Sequence, residues 1–244
     1  MSDYINVITG KGVTKRFGGM IAVSDIDFEL RKGEILGLIG PNGAGKTTLF
    51  NCISAFIKAD EGVITFNDKQ INKLSPDRIC NLGIARTFQT ARNFPDMSMR
   101  DNVRMGALFG KSRTSYEEAD AITDKTISFT GLDQYADVNV TDMPLVLQKR
   151  LEVARALATR PSVLLLDEMM AGLNPTEVDE AMALVFRIRE SGITVLMIEH
   201  VMKAIMAICD RIIVLHHGVL IAEGTPDQIA NDPQVIEIYL GGEA

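Results

Sequence analysis

Nine residues, Gly40-Pro41-Asn42-Gly43-Ala44-Gly45-Lys46-Thr47-Thr48, restrict this chain more than any other stretch. An apolar run, Ile35-Leu36-Gly37-Leu38-Ile39, precedes them, and a helix-compatible segment, Leu49-Phe50-Asn51-Cys52-Ile53, follows. A strand running through a glycine loop into a helix is the context in which this pattern holds phosphate. Glycines let backbone N–H groups turn inward around an anion, and the helix start adds the positive end of its dipole. Lys46 is then placed to reach β and γ phosphates, and the Thr47 hydroxyl to ligate Mg²⁺. The loop implies a chain that binds ATP or GTP. The plainer alternative is a glycine turn with a solvated lysine, and the flanking strand and helix count against it.

The 244 residues allow one large α/β domain or a core carrying a smaller lobe. A net charge of −7 argues against extended contact with nucleic acid, which needs basic surface to replace counterions. The three cysteines, Cys52, Cys80 and Cys209, are odd in number, far apart and without CxxC spacing. They read as reduced thiols of a cytoplasmic protein rather than as disulfides or a metal site. Met1-Ser2-Asp3-Tyr4 does not open a secretory signal, and no 18-residue apolar run is present. A soluble, cytoplasmic protein is expected.

Residues 5–32 alternate apolar and polar positions, which predicts half-buried antiparallel strands, with a second pair around 62–69. From about 94 to 157 the patterns are helical, with loops at Gly110–Thr114 and Gly131–Thr141. Continuous apolar runs return at Val163-Leu164-Leu165-Leu166 and Thr194-Val195-Leu196-Met197-Ile198, separated by a helix at about 176–190. Such runs predict a parallel sheet buried on both faces. Ile212–Leu215 and Val219–Ala222 flank His216-His217-Gly218 and read as a terminal hairpin. The expected fold is α/β: a nucleotide-binding core with a mixed or parallel sheet (about 1–93 and 158–244), an N-terminal antiparallel β layer and an inserted helical subdomain (about 94–157).

The first apolar run ends in Asp167-Glu168, and the second in Glu199-His200. Phosphoryl transfer needs a metal beside the phosphates, and a carboxylate at the carboxyl end of a strand can hold it. Asp167 fits that role; Glu168, pointing elsewhere, could polarise an attacking water. The alternative is a pair of acids marking a strand end, which the glycine loop makes less apt. His200 at a strand end could be structural or could contact a γ-phosphate. Gln89 alone is an ordinary loop glutamine.

In order, the glycine loop, Gln89, Asp167-Glu168, Ala171-Gly172-Leu173-Asn174-Pro175 and His200 resemble the ATPase subunit of an ABC transporter. The resemblance runs from Val13-Thr14-Lys15-Arg16-Phe17-Gly18-Gly19 to the Val235–Gly241 tail. Within that family, Ala85–Phe94, the AGLNP stretch and Met197-Ile198-Glu199-His200 are most similar to the branched-chain amino acid importer ATPases. The resemblance implies that Phe17 stacks on adenine with Val23 nearby, and that Asn42, Gly43, Ala44, Gly45, Lys46, Thr47 and Thr48 hold ATP. It implies Thr47, Gln89 and Asp167 around Mg²⁺, Glu168 as general base, His200 as the switch histidine, and Asn174 with its neighbours at a dimer interface. It also implies membrane permease subunits docking near Gln89 and residues 90–105, a second ATPase subunit, an extracytoplasmic solute-binding protein acting indirectly, and a place on the cytoplasmic face of the membrane. The solute would be a branched-chain amino acid or a related small compound. A soluble ABC-type ATPase and a nucleotide-binding regulatory subunit are the alternatives.

One element departs from the pattern. The family signature, LSGGQ or LSYGQ, should occupy residues 143–147, which read Met143-Pro144-Leu145-Val146-Leu147. In the family this segment presents a serine hydroxyl and glycine N–H groups to the nucleotide on the opposite subunit. Pro144 has neither hydroxyl nor N–H, although proline suits a first helical turn. Met169 also replaces a proline, and Val201 an aspartate. Two readings stay open: a heterodimer with unequal sites, or a subfamily that uses other backbone donors at the helix start. A homodimer is possible and would carry two altered sites.

Overall fold

The computed structural model describes residues 4–89, 93–110 and 114–240. The chain begins with β1 (Asn6–Phe17), β2 (Met20–Arg31), β3 (Ile35–Ile39), α1 (Lys46–Ile53), β4 (Glu61–Phe66) and β5 (Lys69–Gln70). There follow α2 (Pro76–Leu82), β6 (Ile84–Arg86), α3 (Met99–Leu108), α4 (Tyr116–Thr130), α5 (Leu145–Ala158), β7 (Val163–Asp167) and α6 (Pro175–Glu190). The last elements are β8 (Thr194–Ile198), α7 (Met202–Ile208), β9 (Arg211–His216), β10 (Val219–Gly224), α8 (Pro226–Ala230) and α9 (Pro233–Leu240). Two compact units form, Met1–Pro76 with Thr194–Ala244, and Asp77–Ile193.

In the first unit, β2, β1, β4 and β5 make an antiparallel sheet in that order. Alternation along β2 buries Ile26, Phe28 and Leu30 and leaves Asp27 and Glu29 exposed, as period-two patterning requires. At Gly10, paired with Phe28, a Cβ would stand 2.1 Å from the phenyl ring, so only glycine admits that side chain. In a second layer of strands, β3 lies between β8 and β9, parallel to both, and β10 closes antiparallel on β9. Every residue of β3 and β8 is buried, which is why neither alternates.

Arg211, first residue of β9, ties three segments of this unit together. Its guanidinium donates to both oxygens of Glu34 (3.3 and 2.7 Å), to the Glu29 carbonyl and to the Glu223 carboxylate. Glu34 also accepts the Arg31 N–H at 2.5 Å, and both charged side chains are over nine-tenths buried. A buried carboxylate at the entry to β3 thus depends on one guanidinium.

In the second unit β6 and β7 pair in parallel. Helices α3, α4 and α5 enclose a core that includes Met99, Val103, Ile127, Leu132, Leu147 and Leu151. Serine hydroxyls of Ser98 and Ser115 cap α3 and α4, and Asn174 with Glu177 forms a capping box at α6, where Pro175 is the first helical residue. The expected loop at 131–141 is packed rather than open: it contains two 3₁₀ turns, Asp133–Tyr135 and Val140–Asp142, because Leu132 and Val140 are drawn into the helical core. Of the other expected loop, 110–114, residues 111–113 lie outside the described residues, as do 90–92 of the 90–105 stretch.

Replacing Arg211 with leucine is expected to destabilise folding by about 3 kcal/mol, since it leaves Glu34 buried and unpaired. Urea unfolding with an unchanged slope and a lowered midpoint reads this directly. Burial pushes the Cys52 thiol up to about 11 and the Cys209 thiol up to about 12, so both stay protonated at pH 8. Alkylation of the native protein at that pH should spare both, and denaturation should expose them.

Candidate functional site

The loop that leaves β3 takes up backbone shapes only glycine tolerates. Gly40, Gly43 and Gly45 have φ of 149°, 79° and 101°. A Cβ at Gly40 would meet the Leu215 carbonyl oxygen at 2.1 Å, and one at Gly45 the Ala22 carbonyl oxygen at 2.5 Å. The Lys46 ammonium, whose residue is only 6% exposed, bridges the loop's mouth by donating to the Gly40 and Pro41 carbonyls at 2.5 and 2.9 Å. Helix α1 then opens at Lys46 with no side-chain cap and no acid in its first turn. A curled backbone, a buried cation and an uncapped helix start fit a polyphosphate anion by their chemistry. Asn42, Gly43 and Thr47 are exposed, Thr48 is half-buried, and Ala44 anchors the loop inward by accepting the Gly218 N–H at 3.1 Å.

Three further residues of this unit bear on the site. Phe17 ends β1 as a residue 46% exposed, with the Lys15 ammonium 5.4 Å from its ring centroid. Val23 is wholly buried and backs the loop, its Cγ1 lying 2.8 Å from where a Gly45 Cβ would stand. His200 is exposed just beyond β8, after the buried Glu199. Sequence reasoning overlooked Tyr239 of α9: burial pushes its hydroxyl pKa up, against an opposing hydrogen bond with the Gly40 backbone.

In the second unit, Asp167 ends β7 almost fully buried, and Arg86 of β6 donates to its Oδ2 at 3.2 Å. The Arg86 guanidinium also lies 4.6 Å from the Phe88 ring centroid. The Asp167 N–H donates to the Thr87 hydroxyl at 3.0 Å, so strand and carboxylate are held from the same side. Glu168, next in the chain, takes a left-handed φ of 51°. There its Oε2 accepts from Gln89 Nε2 at 2.9 Å. The structure thus brings together Gln89 and Glu168, which lie far apart in sequence. Arg86 was not singled out from sequence; a charged residue inside a short buried strand, three positions before Gln89, was the available signal.

The divergent stretch 143–147 has a structural role of its own. Met143 and Leu147 belong to the helical core, Val146 packs against it, and Pro144 and Leu145 are exposed. Pro144 is the N-cap of α5 without a side-chain hydrogen bond, and its carbonyl accepts the N–H groups of Leu147 and Gln148, each at 3.0 Å. Asn174 spends its side-chain oxygen on the Glu177 N–H at the start of α6.

Comparison with known proteins places these features in a lineage. The sequence profile of the ABC transporter family matches residues 23–171, and that of the branched-chain amino acid ATP-binding cassette transporters matches residues 219–244. The chain is 38% identical to the high-affinity branched-chain amino acid transport ATP-binding protein BraF of Pseudomonas aeruginosa, over 96% of this chain and 98% of the relative. It is 39% identical to LivG of Escherichia coli K12, named for the same transport, with the same coverage. Among solved structures, a nucleotide-free ATP-binding cassette from an ABC transporter superposes with a TM-score of 0.88 at 30% identity, covering 96% of this chain and 99% of that one. A dimeric cassette bound to ADP and Pi in a post-hydrolysis state gives a TM-score of 0.81 at 26% identity, covering 90% of this chain and 98% of that one. With the phosphate loop, the α/β fold and near full-length similarity all agreeing, this chain belongs to the ABC transporter family.

Proposed function

We propose that this chain is the ATP-binding and hydrolysing subunit of an ABC importer, driving uptake of a branched-chain amino acid or a related small organic compound. The observation that carries the reading is the 40–48 loop, in which left-handed glycines and the buried Lys46 ammonium frame an uncapped helix start. Relatives named for branched-chain amino acid transport, similar over nearly their whole length, support the importer and its cargo class. Among the described residues no helix is long and apolar enough to cross a membrane. The reading therefore includes separate permease subunits, with this chain on the cytoplasmic face of the membrane and a solute-binding protein acting on the other side.

In this reading Asn42 to Thr48 wrap the phosphates, Lys46 neutralises the β and γ groups, and Phe17 offers its exposed ring to the adenine. Thr47, Asp167 and Gln89 would hold Mg²⁺, which when bound supplies charge neutralisation on the phosphates. Asp167 arrives at that task already oriented by Arg86. Glu168 takes the proton of the attacking water, and to do so it must give up or reorganise its bond to Gln89. Gln89 is thereby able to report on the phosphates while standing beside the 90–105 segment where a permease would dock. His200 contributes a contact to the γ-phosphate. The residues work as one cassette, with about 94–157 as its helical subdomain.

The start of α5 sets the pairing. Pro144 offers no hydroxyl or N–H and Leu145 exposes an apolar side chain, so this face is poor at completing a partner's ATP site. We therefore favour pairing with a second, different ATPase chain whose own signature completes the site on Gly40–Thr48. A second reading rests on the uncapped start of α5, whose backbone donors could serve in place of the usual residues.

Two outcomes are expected. Glu168→Gln should abolish turnover and trap ATP in a closed dimer, seen as an ATP-dependent shift on gel filtration; a variant that turns over like wild type overturns the motor reading. The purified chain alone should hydrolyse ATP about 10²–10³-fold more slowly than when mixed with a partner carrying an intact signature, as expected for losing transition-state donors. Brisk hydrolysis by the homodimer would instead establish the second reading.

A further inference from the structure

We propose that Lys149 is a positioning residue for the general base, acting through the main chain of Glu168. The proposal rests on the hydrolytic reading above. Three observations carry it. Glu168 sits at φ 51°, a backbone shape that a non-glycine residue keeps only when its surroundings hold it there. The turn it opens is closed weakly from within, by the Ala171 N–H reaching the Glu168 carbonyl at 3.3 Å. The Lys149 ammonium, from the second turn of α5, clasps that turn at both ends, donating to the Glu168 carbonyl at 3.0 Å and the Ala171 carbonyl at 2.6 Å.

The consequence is chemical as well as structural. Two carbonyls facing one another repel, and a cation between them relieves that repulsion while fixing the plane of the peptide that follows Glu168. With φ and that peptide plane set, the Cα–Cβ bond of Glu168 has one direction, and the carboxylate is aimed from it. Helix α5 thus holds the 168–171 turn at two carbonyls, and the aim of the base is set by the helix that starts at the divergent residues. Lys149 is a positioning and not a catalytic residue, because the two bonds that carry the proposal go to main-chain carbonyls. A purely structural lysine would make the same two bonds, so the test must separate stability from aim.

ATP turnover is measured for Lys149→Met, Lys149→Arg and the control Lys125→Met, each with urea unfolding. Lys149→Met should lower kcat roughly tenfold or more with the KM for ATP little changed, the effect of a misplaced reacting group. Lys149→Arg, which keeps two donors, should recover most of the rate, and Lys125→Met should behave as wild type. Equal kcat for Lys149→Met and wild type overturns the inference, as does a loss that Lys149→Arg fails to recover. If Lys149→Met does not fold, Lys149→Arg and Lys149→Gln decide, the former active and the latter impaired in kcat alone. A wild-type chain without ATPase activity in any pairing overturns the hydrolytic reading and this one with it; an active wild type matched by Lys149→Met overturns this one alone.

Discussion

The Lys46 ammonium, drawn into the mouth of its own loop, makes the interaction on which the shape of the 40–48 loop depends. It donates to two carbonyls of the loop, those of Gly40 and Pro41, and so ties the loop's first two residues to the start of α1. The loop can be shaped this way only because Gly40 and Gly45 lack side chains, each pressed against a carbonyl oxygen of a neighbouring strand. A methyl group at either position would displace the strands, so the site and the strand layer beneath it are built as one object.

A similar economy governs the acidic side. Asp167 and Glu168 are adjacent, yet they have different partners: Arg86 for the first, Gln89 for the second. Burial makes the difference. Asp167 is nearly inaccessible and needs a cation close by, whereas Glu168 leaves the strand through a left-handed turn into a more open position. Two carboxylates in adjacent positions thus sit in different environments, the condition under which a pair of acids takes on different tasks. The turn that follows them is clasped from α5, where Lys149 donates to the Glu168 and Ala171 carbonyls.

The start of α5 shows how a sequence can depart from a motif without losing the fold. Met143 and Leu147 are absorbed into the core of α3, α4 and α5, and Pro144 is accommodated at the N-cap, where the helix asks for no N–H. The substitutions are thus consistent with the stability of the helical unit. What they change is the outward face, where Leu145 stands exposed.

Much of this was legible in the residues alone. The strand at Ile35–Ile39, the glycine loop, the antiparallel alternation of 5–32, the buried runs ending at Asp167 and Glu199, and the terminal hairpin all follow from local periodicity and turn chemistry, which act over a few residues. Short elements such as β6, α2 and α7 were not, because three to seven residues hold too little pattern to signal a type. Nor could sequence order pair Arg86 with Asp167, set Lys149 across the 168–171 turn, bury Val23 under Gly45, or fold Leu132 and Val140 into a core. Those are contacts between residues distant in the chain, chosen by how charges find partners and apolar surfaces find cover once the backbone is in place. The sequence by itself determined that a phosphate-binding α/β cassette would form; tertiary structure decided that Arg86 serves Asp167 while Gln89 serves Glu168, and which backbone shape Glu168 takes.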